Sequence, residues 1–396
     1  MILNLVRRTA AAALLMAAGA FQAEAQVIKI GFNGDLSASP TAQSGQVALL
    51  GAQVAVDDLN KAGGVLGRKL EIVVRDDVAR PPKSIQNINE LIDNEKVVAV
   101  LGPTSSGNAL AWRHIPNRKK IPVIVPIATA TDVTRPMGPE NYMFRISMVD
   151  RDQAAALIAY VKKNPAVKKI GFFAETTGYG QAGLKDLEEI AALQGIKPVV
   201  IEKFDVQDTD MTSQLNKAKA AGVDAILVWA QSAPIAHLLR SMEKVDYFPL
   251  TLTTWSSGND AFVQVAGTEL MVRPLFMTTV TDESSPRNEE LYRRLAGKIP
   301  NASLFLFAAQ GYDAVLVLAA ALEQAQSTDG PKVRAALENL TRPVKGYVKT
   351  YAPPFTISEH EALSSNDFRW VKWREGKVQT YADDVTRQLG AADFKK

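Results

Sequence analysis

The sequence predicts an α/β protein of two similar lobes, each built on a parallel sheet covered by helices. Three observations carry this. Short apolar, β-branched runs alternate with amphipathic segments at helical spacing, the pattern of βαβ units. The alternation restarts at about Asp150, giving two halves of the same type without a residue-level repeat. Finally, the chain has 396 residues, and the 371 that follow the first 25 (396 minus 25) exceed what one hydrophobic core usually serves.

In the first half, a strand runs from Val27 to Leu36 and leads into a loop at Ser37-Ala38-Ser39-Pro40. A helix follows from Gln46 to Ala62, with Val47, Leu50, Val54 and Leu59 on one face, and Gly63-Gly64 ends it. Leu70 to Val74 reads as a strand, and Pro81-Pro82 opens a helix that runs to Glu95. Val97 to Leu101 is an apolar run stopped by Gly102-Pro103, the mark of a strand buried on both faces. Thr104, Ser105 and Ser106 then sit between that strand's carboxyl end and a helix over Ala109 to His114, a place that suits an anion. An ordinary helix cap explains the same residues. Ile121 to Pro126 is a further strand, with a second small polar loop at Ala128-Thr129-Ala130-Thr131.

The second half gives helices over Asp150–Lys163, Gln181–Gln194, Asp210–Ala220 and Ala233–Lys244. Its strands are Lys169–Ala174, Pro198–Phe204, Ala225–Trp229 and Leu250–Thr254. After Met271–Thr279 come helices over Ser285–Lys298, Leu304–Gln326 and Pro331–Leu340, then an antiparallel tail around Phe368–Trp373 and Gly376. These late helices have no lobe of their own, so they must pack on one already built and the chain must cross between lobes more than once.

Arg7-Arg8, the apolar run Thr9–Phe21 and the small-x-small triplet Ala23-Glu24-Ala25 read as a secretory signal cleaved before Gln26, which implies a soluble periplasmic protein. With no cysteine in the chain, disulfides and a lipidated N-terminal Cys are excluded. The formal charge of +3 falls to +2 once Arg7, Arg8 and Glu24 are removed, and there is no extended basic stripe, so a nucleic-acid partner is not expected.

Two chemical signals are weighed and set aside. Gly178-Tyr179-Gly180-Gln181-Ala182-Gly183 spells G-x-G-x-x-G, but Glu175-Thr176-Thr177 separate it from the strand, where a dinucleotide fingerprint needs a tight turn. It reads better as a glycine-rich loop presenting Tyr179 across a cleft. His114, His237 and His360 lie far apart and no G-x-S-x-G elbow exists, so neither a nucleophile, a His/Cys metal site nor a cofactor is expected. The acid pairs Asp57-Asp58, Asp76-Asp77 and Asp383-Asp384 read as solvated faces. The polar clusters instead fall at strand ends on one side of each sheet. These are Ser37–Ser44, Thr104–Ser106 and Ala128–Thr131 in the first half, and Thr177–Tyr179, Gln231-Ser232 and Trp255-Ser256-Ser257 in the second. Small polar groups with a few aromatics suit a small organic ligand held between lobes.

Several stretches together resemble one known family. They are Ile30-Gly31 to Asp35-Leu36-Ser37, Gly51-Ala52, and above all Asp58-Leu59-Asn60-Lys61-Ala62-Gly63-Gly64-Val65-Leu66-Gly67-Arg68-Lys69-Leu70. Asp76-Asp77, Gly102 to Ser106, Pro126 to Ala130, Tyr179-Gly180 and Gly311-Tyr312-Asp313-Ala314 continue the match over essentially the whole chain. The family is the periplasmic substrate-binding proteins of branched-chain amino acid ABC transporters, the type I leucine/isoleucine/valine-binding group.

The resemblance implies two Rossmann-like lobes joined by a three-crossover hinge that closes like a Venus flytrap. By it, residues 26–146 and 280–350 form lobe 1, residues 147–279 and 351–390 form lobe 2, and 391–396 are a tail. It further implies a monomer with no catalytic activity that delivers a small carboxylate or amino acid to an inner-membrane permease. The ligand's carboxylate would be held by Thr104 with Ser105 or Ser106 and by the loop Ile127-Ala128-Thr129, with Ser44 from the first loop. In lobe 2 the family's tyrosine matches Tyr179, and its hinge-side tyrosine matches Tyr312. Two departures stand out: Trp255-Ser256-Ser257 where amino-acid binders place an acid for the ligand's ammonium, and Gln231 where they often have tyrosine. A buried ammonium without a counter-charge is costly. Either Asp260 supplies that charge, or the ligand is an aromatic or aliphatic acid without an amine, stacked on Trp255. A ligand-sensing receptor domain of the same fold is the competing function.

Overall fold

The computed structural model describes residues 27–38, 42–280, 286–299 and 304–395, and the expected signal segment lies outside them. Lobe 1 is built on β1 (Ile28–Gly34), β2 (Leu70–Asp76), β3 (Ala99–Leu101), β4 (Val123–Val125) and β5 (Met143–Arg145). They form an all-parallel sheet in the order β2-β1-β3-β4-β5. The connecting helices are α1 (Ala42–Lys61), α2 (Pro81–Asp93), α3 (Ser106–Trp112) and α4 (His114–Lys119). In lobe 2, helices α5 (Asp150–Lys163), α6 (Gly178–Leu193), α7 (Thr212–Ala221), α8 (Ser232–Lys244) and α9 (Asp260–Leu270) surround a second sheet. That sheet has β6 (Ile170–Glu175), β7 (Val200–Phe204), β8 (Ala225–Trp229) and β9 (Leu250–Thr253) in the order β7-β6-β8-β9, again parallel. The two orders are the same topology, so each lobe has one switch point, between β1 and β3 and between β6 and β8, where crossovers leave in opposite directions and open a crevice at the strands' carboxyl ends.

Leu252 bridges Leu275, which brings β10 (Phe276–Thr278) against the edge of the second sheet. The chain then returns to lobe 1 as α10 (Pro286–Leu295), α11 (Phe305–Ala325) and α12 (Gly330–Leu337), followed by a short hairpin of β11 (Val344–Lys345) and β12 (Thr350–Tyr351). It ends in lobe 2 with β13 (Arg369–Arg374) and β14 (Lys377–Thr380), which extend β10 as an antiparallel ribbon. Helix α11 is long and apolar enough to cross a membrane, yet 89% of its apolar window is buried inside the protein. Its apolar residues serve a core instead. A Cβ at Gly51 would stand 2.0 Å from Ala308 O and one at Gly311 would stand 1.9 Å from Ala48 O, so α1 and α11 cross backbone against backbone.

That crossing explains where Tyr312 goes. Its hydroxyl donates to Asp58 Oδ2 (2.9 Å) and its ring meets Tyr347 edge-on, so it braces α1, where Asp58 also pairs with Arg294 (2.7 Å). The other acid pairs also depart from solvated faces. Asp77 is buried, accepting from Ser84 Oγ (2.9 Å) and Asn108 Nδ2 (2.8 Å), and Asp383 accepts from the Tyr160 hydroxyl (2.6 Å). The last crossing also falls later than residue 350. Tyr351, Phe355 and Leu363 belong to the lobe 1 core, where Asp313 receives Tyr347 N–H, Val348 N–H and the Tyr351 hydroxyl, so lobe 1 runs to about 363. The expected tail is likewise attached, with Asp393 paired to Lys163 (2.8 Å) and Phe394 against the lobe 2 core.

Where the first and third crossings run side by side, Arg145 is fully buried. Its Nε and Nη2 reach both oxygens of Glu361 (2.7 Å each), Nη1 donates to Ala128 O (3.1 Å) and Ala130 O (2.9 Å), and Nη2 also reaches Thr134 Oγ1 (3.1 Å). Removing one member of a buried pair strands the other's charge. Replacing Arg145 with Met is expected to cost about 3–5 kcal/mol, measured as a fall in the urea unfolding midpoint.

Candidate functional site

Both switch points face one cleft of about 550 Å³, part of it open to solvent. Lobe 1 contributes Ser44, Thr104, Ser105, Ser106, Ile127, Ala128, Thr129 and Phe307 to its lining, and lobe 2 contributes Tyr179, Gln231, Ser232, Trp255, Ser256 and Asn259. Every site residue expected from the sequence is therefore brought together here except Tyr312. Three lining residues were not anticipated as site residues. Ser232 adjoins Gln231, and Asn259 caps α9 just after the Trp255 loop, so each lay beside a marked cluster. Phe307 gave no local signal: only the close α1–α11 crossing carries it to the cleft.

On the lobe 1 side, β3 ends where Gly102 passes β1; its φ is +124°, and a Cβ there would stand 2.2 Å from Asn33 O. Only glycine makes that approach. The turn delivers three hydroxyls with different duties. Thr104 Oγ1 accepts from Asp35 N–H (2.9 Å) and ties the loop to β1. Ser105 is the N-cap of α3, but its side chain makes no capping bond, so the ordinary explanation for a serine here does not apply. Ser106 Oγ accepts both Thr129 N–H (3.2 Å) and Ala130 N–H (3.1 Å). Those bonds use its two lone pairs and leave its proton as the group it can offer. The same loop has its Ala128 and Ala130 carbonyls clamped by Arg145 from behind.

On the lobe 2 side, Glu175 ends β6 fully buried. It accepts Gln231 N–H (2.8 Å), Gln231 Nε2 (3.1 Å) and the Thr177 hydroxyl. Burial pushes its carboxyl up, and these three donors oppose the shift. The buried Tyr179 hydroxyl lies 3.5 Å from Ser256 Oγ, while Trp255 and Phe307 form an apolar wall across the lobes, ring centroids 5.4 Å apart. The G-x-G-x-x-G run is explained by close approach. A Cβ at Gly180 would stand 2.0 Å from Glu175 O, one at Gly183 would stand 2.0 Å from Trp229 Nε1, and one at Gly178 would stand 2.8 Å from Gly107 Cα in the other lobe. None of the three is spent on a phosphate.

No described lining side chain carries a formal charge. Asp260 opens α9 but is not part of the lining. Asp150 lies behind Thr129, its N–H bonded to Thr129 O (2.9 Å), with a fully buried carboxyl whose Oδ1 accepts from Gln153 (3.3 Å). Burial, assisted by the charges of Asp186 and Glu361 and opposed by Thr129 and Arg145, pushes it up to about 8. Burial thus favours its protonated, neutral form. His360 is structural too, stacked on Phe144 and bonded to Met143 O (2.9 Å) and Glu338 Oε1 (3.0 Å). Among the described residues no group of His, Asp or Glu is arranged to hold a metal ion. Beside the cleft, Thr131 donates to Asp186 (2.7 Å) and Lys185 pairs with Asp132 (3.3 Å), fastening the lobes together.

Comparison with known proteins agrees with this geometry. A family model described as periplasmic binding protein matches residues 27–377. The chain is 28% identical over 379 residues to the Leu/Ile/Val-binding protein homolog 3 of Brucella melitensis, covering 96% of this chain and 99% of that one. A periplasmic binding protein type 1 from Bordetella pertussis superposes with a TM-score of 0.80 at 25% identity, covering 90% of this chain and 100% of the other. The branched-chain amino acid transporter substrate binding protein LivJ of Streptococcus pneumoniae, solved with isoleucine, gives 0.76 at 25% identity, covering 90% and 98%.

The glycine contact between lobes separates two substitutions. Gly178→Ala should hold the lobes apart, weakening capture of a cleft ligand by roughly 5- to 100-fold, in line with an overpacking cost of about 1–3 kcal/mol. Gly107→Ala, whose Cβ would stand at an ordinary 3.8 Å from Gly178, should change little. Titration calorimetry of the two variants checks this. For Asp150, the fold retains a proton that the unfolded chain loses above about pH 4, so stability from this group declines as pH rises from there to about 8. Asp150→Asn should therefore gain on the native protein between pH 5 and pH 8, read from urea unfolding at both.

Proposed function

The chain belongs to the periplasmic binding protein family, and from that premise we propose that it is the solute-binding component of an ABC uptake transporter, capturing a small carboxylate between its lobes and presenting it to a permease. It acts as an exported monomer, cleaved before Gln26, and does no chemistry on its ligand. The observation that carries this reading is the cleft itself: uncharged hydroxyls, amides and aromatics from both sheets' switch points, without a nucleophile–base pair among the described lining residues.

The names of relatives mention leucine, isoleucine and valine. Within the carboxylate class, the lining favours an acid without an amine. Trp255 and Ser256 are in the lining without a carboxylate beside them, Asp260 is outside it, and burial favours the protonated form of Asp150 behind it. An unpaired ammonium moved into such a site is strongly disfavoured. The lobe 1 hydroxyls and the ordered 127–130 loop support an anion held by neutral donors.

Calorimetric titration with benzoate-type and aliphatic acids, beside leucine, isoleucine and valine, tests both levels. Binding of an amine-free acid is the expected result, and tight leucine binding without response to the acids overturns the amine-free reading. The double substitution Ser106→Ala with Thr129→Ala should weaken binding by more than about 2 kcal/mol, the scale of hydrogen bonds to a charged group. Unchanged affinity in a variant that still melts cooperatively would remove the carboxylate from this loop.

A further inference from the structure

The second lobe holds a hydrogen-bond acceptor whose direction the fold dictates. Gln231 is the N-cap residue of α8, yet its side chain does not cap the helix; it lines the cleft. Its Nε2 and its own backbone N–H both go to Glu175. Three donors converge on that buried carboxyl, so the amide must turn its nitrogen toward Glu175 and its oxygen away. Gln231 Oε1 is left buried without a partner. Glu175 has no room to release the amide, because the first turn of α6 lies against it: a Cβ at Gly180 would stand 2.5 Å from Glu175 Cγ. A buried carbonyl oxygen calls for a donor, and in a ligand cleft the ligand is placed to supply it.

Building on the carboxylate reading above, we infer that the ligand is a small hydroxy acid. Its carboxylate meets the lobe 1 hydroxyls, and a hydroxyl at its other end donates to Gln231 Oε1. Gln231 and the Ser105–Ser106 loop belong to opposite lobes, so this second hydrogen bond couples ligand identity to closure: an acid lacking the hydroxyl satisfies one lobe and leaves the other's acceptor bare. The donor is a hydroxyl and not an ammonium, since no described lining side chain carries a compensating charge. Glu175 acts as a positioning residue, selecting which end of the Gln231 amide faces the ligand.

The probes are benzoate against 3- and 4-hydroxybenzoate, pentanoate against 5-hydroxypentanoate, and leucine, titrated into the full mature protein. At least one hydroxy acid should bind about tenfold or more tightly than its parent, because a site built around a hydroxyl rejects the analogue without it. Gln231→Met should erase that ratio, bringing the hydroxy acid's affinity down to that of its parent in the same variant. Glu175→Gln frees the amide to turn and should compress the ratio as well, a readout that mere loss of stability would not move. Equal binding of parent and hydroxy acids, a ratio that survives Gln231→Met, or leucine binding more tightly than every hydroxy acid overturns the inference. If parent acids bind and Ser106→Ala weakens them while the ratio stays at one, only this inference falls. If none of the probes binds, leucine included, the carboxylate reading falls and takes it along.

Discussion

The arrangement of the cleft depends on one guanidinium. Arg145 ends the last strand of the first sheet, and its donors are divided between Glu361 on the third crossing and two carbonyls of the loop after β4. A buried ion pair adds little net stability compared with apolar packing of the same volume. Its value here is geometric. With the Ala128 and Ala130 carbonyls drawn back to Arg145 and the Thr129 and Ala130 amides drawn to Ser106, the loop's backbone is held from two sides, and Ile127, Ala128 and Thr129 line the cleft. Two chain crossings and the cleft loop are tied to the same planar group, whose fork of donors an ammonium lacks.

Much of this was legible in the sequence because the signals were local. Apolar runs ending in Gly102-Pro103, in Thr176-Thr177 or at Gln231-Ser232 mark the carboxyl ends of parallel strands, and strand ends in such folds are where ligands sit. What sequence could not show depends on contacts between distant segments. Tyr312 stands in a family-like motif, but whether it turns to the cleft or to Asp58 is decided by how α11 crosses α1. Phe307 enters the cleft by the same crossing. The stretch from Tyr351 to Leu363 contains Pro353-Pro354 and little periodicity, so nothing in it announces that it stays with the first lobe; Asp313, far upstream, decides that. Asp77 and Asp150 look like surface acids until the polar groups and cores around them are seen.

The two lobes contribute different chemistry. Lobe 1 offers hydroxyl protons on a loop held from behind, suited to an anion. Lobe 2 offers an amide whose nitrogen donates to a buried carboxyl, together with the indole of Trp255. Neither lobe alone encloses a ligand. Glycines at the rim let the backbones meet at Gly107 and Gly178, and side-chain pairs such as Thr131 with Asp186 hold the seam once it closes. Closure removes water from the hydrogen bonds it completes, which strengthens each of them.

A cleft lined by neutral groups has a consequence for how a ligand would be held and let go. With no formal charge on the described lining, an acid in the cleft would meet hydroxyls, amides and aromatic rings, and no lining charge for dissolved ions to screen. Capture then depends on short-range contacts made after the ligand arrives. Release would require the lobes to part, breaking seam contacts such as Thr131–Asp186 and Lys185–Asp132, with no ion pair between the described lining and the ligand to be broken.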